Sequence, residues 1–95
     1  MRSITTSDLH AIATAILPLS DEDRPGAARR IIERARSADK LRKRLGHIVR
    51  GYGDGTLYAA ADGHMTGANF NPNSTEHLKA LRVALGEIIA VREAA

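Results

Sequence analysis

The stretch STEHLKALRVALGEIIAVRE, residues 74–93, decides the fold class. Its large apolar residues recur at three- and four-residue spacing: Leu78, Leu81, Leu85 and Ile88. That spacing places them on one side of a helix, so we predict a helix from Ser74 to Glu93 with these four residues as its buried stripe. Asn73 or Ser74 can cap its first turn. We interpret Gly86, which is costly inside a helix, as a close helix crossing.

Two more helices precede this one. Apolar residues recur with helical spacing after Ser7, and Pro18 ends that pattern, so we predict a first helix from Ser7 to Leu17 capped by Thr6 or Ser7. A second helix is predicted from Pro25 to Leu45, with Gly46 as its C-cap. Its apolar residues share one arc, and most of its basic residues share the opposite arc.

A glycine-rich stretch, RGYGDGTLYAAA (residues 50–61), leads into a short fourth helix. Glycine-rich loops before helices can hold phosphates, but this one matches neither GxxxxGK[ST] nor GxGxxG. We therefore interpret it as a joint whose glycines permit positive φ, with Asp54 or Thr56 capping the helix. The sequence thus predicts one all-α domain over residues 1–95, with three main helices and a short helix after the joint.

The composition limits the size of the hydrophobic core and the expected cellular location of the protein. The 95 residues include one Phe, two Tyr and no Trp or Cys, so the apolar content is mostly Ala, Leu and Ile. A thin core of small residues favours helix packing completed by association, and we predict a homo-oligomer. The longest apolar run, AIATAIL, is too short to span a bilayer. We expect a cytoplasmic protein with no membrane contact.

The net charge of +3 is unevenly distributed along the chain. Residues 24–50 carry a net charge of +8, and the remaining residues carry −5. Such asymmetry is typical of a protein that contacts a polyanion. Like charges four residues apart, as at Arg30 and Arg34 or Lys40 and Arg44, destabilise a helix slightly, so they favour a functional reason for the basic arc.

We predict that the basic residues of this segment contact nucleic acid: Arg29, Arg30, Arg36, Lys40, Arg42, Lys43, Arg44 and Arg50. No aromatic residue lies among them to stack on bases, and the turn before the second helix is too long and too acidic for a helix-turn-helix. The expected contact is therefore with phosphates rather than with base edges. The same arc could instead dock on an acidic protein.

Nothing in the sequence indicates catalysis. The four histidines lie far apart, so none forms the i, i+4 pair that holds a metal, and there is no nucleophile elbow. We expect no metal, no cofactor and no enzymatic activity.

Three stretches resemble a group of short, uncharacterised alphaproteobacterial helical proteins: MRSITTSDLHAIATAIL, ARRIIERARSADKLRKR and YGDGTLYAAA. The basic helix, sparse core and amphipathic last helix are also similar in kind to the small terminase subunits of tailed phages and gene transfer agents, although the usual N-terminal helix-turn-helix is missing. That resemblance implies a ring-forming DNA-packaging protein. We therefore expect a non-enzymatic, weakly sequence-specific DNA-associated adaptor; the alternative is a small regulatory factor that docks its basic helix on an acidic partner.

Overall fold

The computed structural model describes residues 2–48, 52–62 and 69–94, and the regular secondary structure within these ranges is entirely helical. The helices are α1 (Thr6–Ile16), α2 (Arg24–Leu45), α3 (Leu57–Asp62) and α4 (Thr75–Ala94). The predicted all-α class, with three main helices and a short one, is confirmed. The bounds predicted for the three main helices agree to within one residue. None of the described helices is both long and apolar enough to cross a membrane.

Helix α1 begins with a capping box. The Thr5 hydroxyl accepts a hydrogen bond from the Asp8 amide, and the Asp8 carboxylate accepts one from the Thr5 amide at 2.8 Å. The prediction of a cap at Thr6 or Ser7 was therefore wrong, because Thr5 has the aspartate three residues later that completes the reciprocal pair. The other oxygen of Asp8 accepts from the Tyr58 amide, in the first turn of α3.

Helix α1 lies at the centre of the fold. Residues 11–16 are all buried, because α3 and α4 pack along α1 and α2 closes the bundle against the same helices. The core consists almost entirely of alanine and isoleucine, and its largest fully buried side chains are Ile12, Ile16, Ile32 and Leu57. The small side chains let the helices approach one another closely.

Helix α4 buries a different stripe from the predicted one. Its buried residues are Ala80, Ala84 and Ile88, whereas Leu78 and Leu85 remain 48% and 37% exposed. The predicted stripe was wrong for these two leucines, because alanines allow the closer helix contact and push the leucines to the flank. Gly86 does not mark a crossing either, since a Cβ built there would meet nothing within 4 Å in the described part of the chain.

The glycine-rich turn is packed rather than being only a joint. Gly53 and Gly55 have φ of +80° and +92°, which confirms the positive φ predicted for the glycines at these two positions. A Cβ on Gly55 would lie 2.8 Å from Asp39 Cα, so only glycine lets the turn touch the backbone of α2. The cap of α3 is Thr56, whose hydroxyl accepts from the Ala59 amide. Arg50 and Gly51 lie outside the described residues.

Candidate nucleic-acid interface

Helix α2 presents most of its basic residues on the side opposite the core. Five of the predicted contact residues are exposed: Arg29, Arg30, Lys40, Lys43 and Arg44. Two more, Arg36 and Arg42, are half-buried at the edges of the exposed side. The helix period alone produces this separation, since the alanines and isoleucines of α2 occupy the arc that faces α3 and α4.

Four of the predicted contact residues are paired with carboxylates of the same chain. Arg29 Nη2 lies 3.1 Å from Glu87 Oε1 on α4, and Arg36 Nη1 lies 3.1 Å from Glu33 Oε1 one turn earlier on α2. Arg42 and Lys43 both pair with Asp39. The predicted set therefore divides into paired and unpaired cations.

Asp39 is a buried carboxylate, only 3% exposed, under the Gly55 turn. Arg42 Nη2 donates to its Oδ1 at 2.9 Å, and Lys43 Nζ lies 3.3 Å from its Oδ2. The hydrogen bond from Arg42 and, to a smaller degree, the contact with Lys43 outweigh burial and lower the pKa of Asp39 to about 2. These contacts stabilise the place where α2 meets the turn, so Arg42 serves the fold.

The unpaired cations of α2 form a surface that we call the free-cation face: Arg30, Arg34, Lys40 and Arg44. In the described part of the chain, no carboxylate lies within salt-bridge distance of any of these side chains. Arg34 was not among the predicted contact residues, although its position four residues after Arg30 is a signal that could have included it.

The free-cation face is built from two pairs, each spanning one helical turn. The distance along the helix from Arg30 to Arg44 is about 21 Å. Between the pairs lies the exposed hydroxyl of Ser37, and a shallow groove of about 280 Å³ is lined by Ser37, Lys40, Leu41 and Arg44. Such a surface can hold several phosphate oxygens by charge and hydrogen bonds.

Arg24, the first basic residue of the segment, is turned inward. Its guanidinium donates from Nε to the Ile16 carbonyl and from Nη2 to the Leu17 carbonyl, both at the C-terminal end of α1. Nη1 also pairs with Asp21 at 3.0 Å, and Nη2 lies 3.6 Å from Glu76 on α4. Arg24 thus joins α1, α2 and α4, and its charge is not available to a ligand.

No group of His, Asp or Glu side chains within residues 2–48, 52–62 and 69–94 is arranged to hold a metal ion. Two of the histidines instead pack their rings against Phe70. His10 stacks on Phe70 with ring centroids 4.4 Å apart, and His77 packs on Phe70 and accepts a hydrogen bond from the Asn71 amide through Nδ1. These contacts fix the chain that enters α4.

Comparison with known proteins identifies a family. The family model DUF7742, described as a domain of unknown function, matches residues 2–88. The chain therefore belongs to the DUF7742 family. No curated protein and no solved structure matches the chain.

Proposed function

We propose that this DUF7742 protein binds the phosphate backbone of duplex DNA through the free-cation face of α2, without reading base sequence, and acts as a non-enzymatic adaptor. The observation that carries the proposal is the division of the basic residues. Arg24 and four of the predicted contact residues are held by carboxylates, while Arg30, Arg34, Lys40 and Arg44 have no such partner in the described part of the chain.

The unpaired state of these four cations favours an external anion. The two cations of each pair lie four residues apart and repel each other. Each such repulsion lowers helix stability by a few tenths of a kcal/mol. A polyanion that bridges the pairs removes this repulsion and releases its own condensed counterions. The spacing of about 21 Å along a straight helix allows contacts with several phosphates at once.

Contacts to phosphates alone predict weak sequence preference. The exposed side of α2 carries no Asn, Gln or aromatic residue, which are the side chains that most often read adenine or stack on bases. Its one exposed acid, Glu33, is held by Arg36. A role in DNA packaging, as the likeness to small terminase subunits suggests, is the finer form of this proposal.

The first test is the salt dependence of DNA binding. With four phosphates neutralised, the slope of log affinity against log salt is about −3.6, so affinity falls roughly a hundredfold between 50 and 200 mM salt. Fluorescence anisotropy of labelled duplexes of different sequence measures both this slope and the expected lack of preference. Absence of binding to DNA or RNA at low salt would rule the proposal out and favour the acidic protein partner.

A pair of double variants tests whether the free-cation face is the contact. Lys40→Gln with Arg44→Gln removes two unpaired cations, whereas Arg29→Gln with Arg36→Gln removes two paired ones. Both change the net charge equally. We expect the first to weaken DNA binding about tenfold more than the second at 50 mM salt, since only the first removes phosphate contacts. Equal losses would mean that net charge, rather than this face, attracts the DNA.

A further inference from the structure

Helix α4 carries a line of exposed apolar side chains along one flank. Five residues recur at alternating four- and three-residue spacing on one flank of this helix, and we call them the α4 seam: Leu78, Arg82, Leu85, Ile89 and Arg92. Leu78, Leu85 and Ile89 are 48%, 37% and 53% exposed. At 100° per residue the five positions fall within an arc of about 80°.

The spacing of the α4 seam is that of a helix which pairs with another helix. Alternation of four and three residues keeps a line of side chains facing one partner, as in coiled coils. Glu87, which binds Arg29 of α2, lies on the opposite side of α4 from the seam. The seam therefore points away from α2. Three large apolar side chains on one exposed line are typical of an interaction surface.

The charges of the α4 seam identify the kind of partner. Arg82 and Arg92 are exposed, and no carboxylate in the described part of the chain lies within salt-bridge distance of either. The seam itself contains no acid. A second copy of this chain paired along the seam would bring four guanidinium groups onto a line that itself contains no acid, which disfavours self-association there.

We propose that the α4 seam binds an acidic amphipathic helix of another protein, with apolar residues against Leu78, Leu85 and Ile89 and carboxylates beside Arg82 and Arg92. Helix-on-helix docking of this type takes its affinity from the apolar anchors. Opposite charges beside the anchors set the choice of partner. The proposal is independent of DNA binding, because the free-cation face lies on a different helix.

The probes are two synthetic helical peptides of the same length. Both carry leucines at alternating three- and four-residue spacing, and the residues beside the leucines are glutamates in one and lysines in the other. Anisotropy with the full chain should give affinity at least about tenfold higher for the acidic peptide. The charge-reversal variant Arg82→Glu with Arg92→Glu should invert this preference, and Leu85→Ser should weaken both interactions.

Three controls separate the α4 seam from other surfaces. Leu45→Ser, at an exposed leucine at the end of α2, should leave peptide binding unchanged. Lys40→Gln with Arg44→Gln should also leave it unchanged, while the seam variants should still bind DNA. Circular dichroism should show native helix content for every variant.

Several results would overturn the proposal. Equal binding of both peptides, or binding that Leu85→Ser does not change, would exclude the seam as the contact. Loss of peptide binding in the α2 variant would assign the contact to the free-cation face. Light scattering that detects a dimer which Leu85→Ser separates into monomers would make a second copy the occupant. Binding to anionic vesicles in place of peptide would assign the seam to a membrane surface.

Discussion

Gly55 lies directly against the backbone of α2, and it has two separate reasons to be glycine. Its φ of +92° disfavours any residue with a Cβ, and that Cβ would lie 2.7 Å from the Asp39 Cβ. Gly46, at the end of α2, has a similar φ of +76°, but a Cβ built there would meet no atom of the described residues within 4 Å. The two glycines thus separate the effect of backbone conformation from that of close packing.

We expect Gly46→Ala to lower the free energy of unfolding by about 1 kcal/mol, the cost of a left-handed conformation alone. Gly55→Ala should lower it by about 3 kcal/mol, since the turn must also move away from α2. Urea unfolding of the two variants measures the difference. Equal losses would show that the contact with Asp39 yields without cost.

Asp39 gives the fold a defined dependence on pH. Its pKa is lowered from 3.8 to about 2 by Arg42 and, less strongly, Lys43, so the folded state binds a proton less readily than the unfolded state. Its contribution is therefore fully present above pH 3.8 and is lost as the pH falls through about 2.

We expect Asp39→Asn to lower the free energy of unfolding at neutral pH by about 1 kcal/mol, a value reduced by solvent screening of the two cations. The difference from the natural chain should persist to about pH 4 and shrink towards pH 2. Denaturant titrations at several pH values provide the measurement. A difference that is the same at pH 7 and pH 2 would assign the effect to shape rather than charge.

At the scale of the helices, α4 separates residues that look alike in the sequence. Leu85 and Ile88 both belong to the predicted stripe, but Leu85 is 37% exposed and Ile88 is 5% exposed. Ile88→Ala should therefore lower the free energy of unfolding by about 2–4 kcal/mol, whereas Leu85→Ala should lower it by less than about 1 kcal/mol. Thermal unfolding of both variants tests this order. The reverse order would mean that Leu85 belongs to the core after all.

The sequence allowed the ends of the helices along the chain to be predicted, but it allowed only part of their buried faces to be predicted. Pro18 and Gly46 mark helix ends by local chemistry that the sequence displays directly, whereas the cap of α1 was predicted one or two residues too late. The burial of Ala80 and Ala84 depends instead on how closely α1 and α2 approach α4. That distance is set by side chains far away in the chain. Apolar periodicity gives most weight to leucines, so it predicted the wrong edge of the stripe.

For the candidate interface, the sequence predicted the exposed basic side of α2 but not which charges are free. Arg36 pairs locally, three residues after Glu33, and this pair could have been recognised from spacing. The pair between Arg29 and Glu87 joins residues 58 positions apart and required the structure. The inward turn of Arg24 is likewise a consequence of where α1 ends.

At the scale of the whole molecule, the charge asymmetry of the sequence is reduced by folding. Acids outside the basic segment reach into it, as Glu87 does at Arg29 and Glu76 does at Arg24. What remains unpaired on α2 is concentrated in the free-cation face. Binding of a polyanion there should act on the stability of the entire fold, since any ligand that binds only the folded state stabilises it.

We expect duplex DNA at a hundred times its Kd to raise the free energy of unfolding by about 2.7 kcal/mol. For a chain of this size, that corresponds to an increase in Tm of about 10 °C or more at low salt. Differential scanning fluorimetry with and without DNA measures it. The shift should disappear in high salt and in the Lys40→Gln, Arg44→Gln variant; a shift that survives both would indicate another binding surface. The predicted homo-oligomer stays a prediction.

Asp8 couples the stability of α3 to that of the first turn of α1. One of its oxygens completes the cap of α1, and the other accepts from the Tyr58 amide at 2.9 Å in α3. The six residues of α3 are too few to persist as a helix alone. Each transient opening of the first turn of α1 therefore releases an acceptor on which α3 depends, and the amide hydrogens of the two helices should exchange with solvent as one cooperative unit.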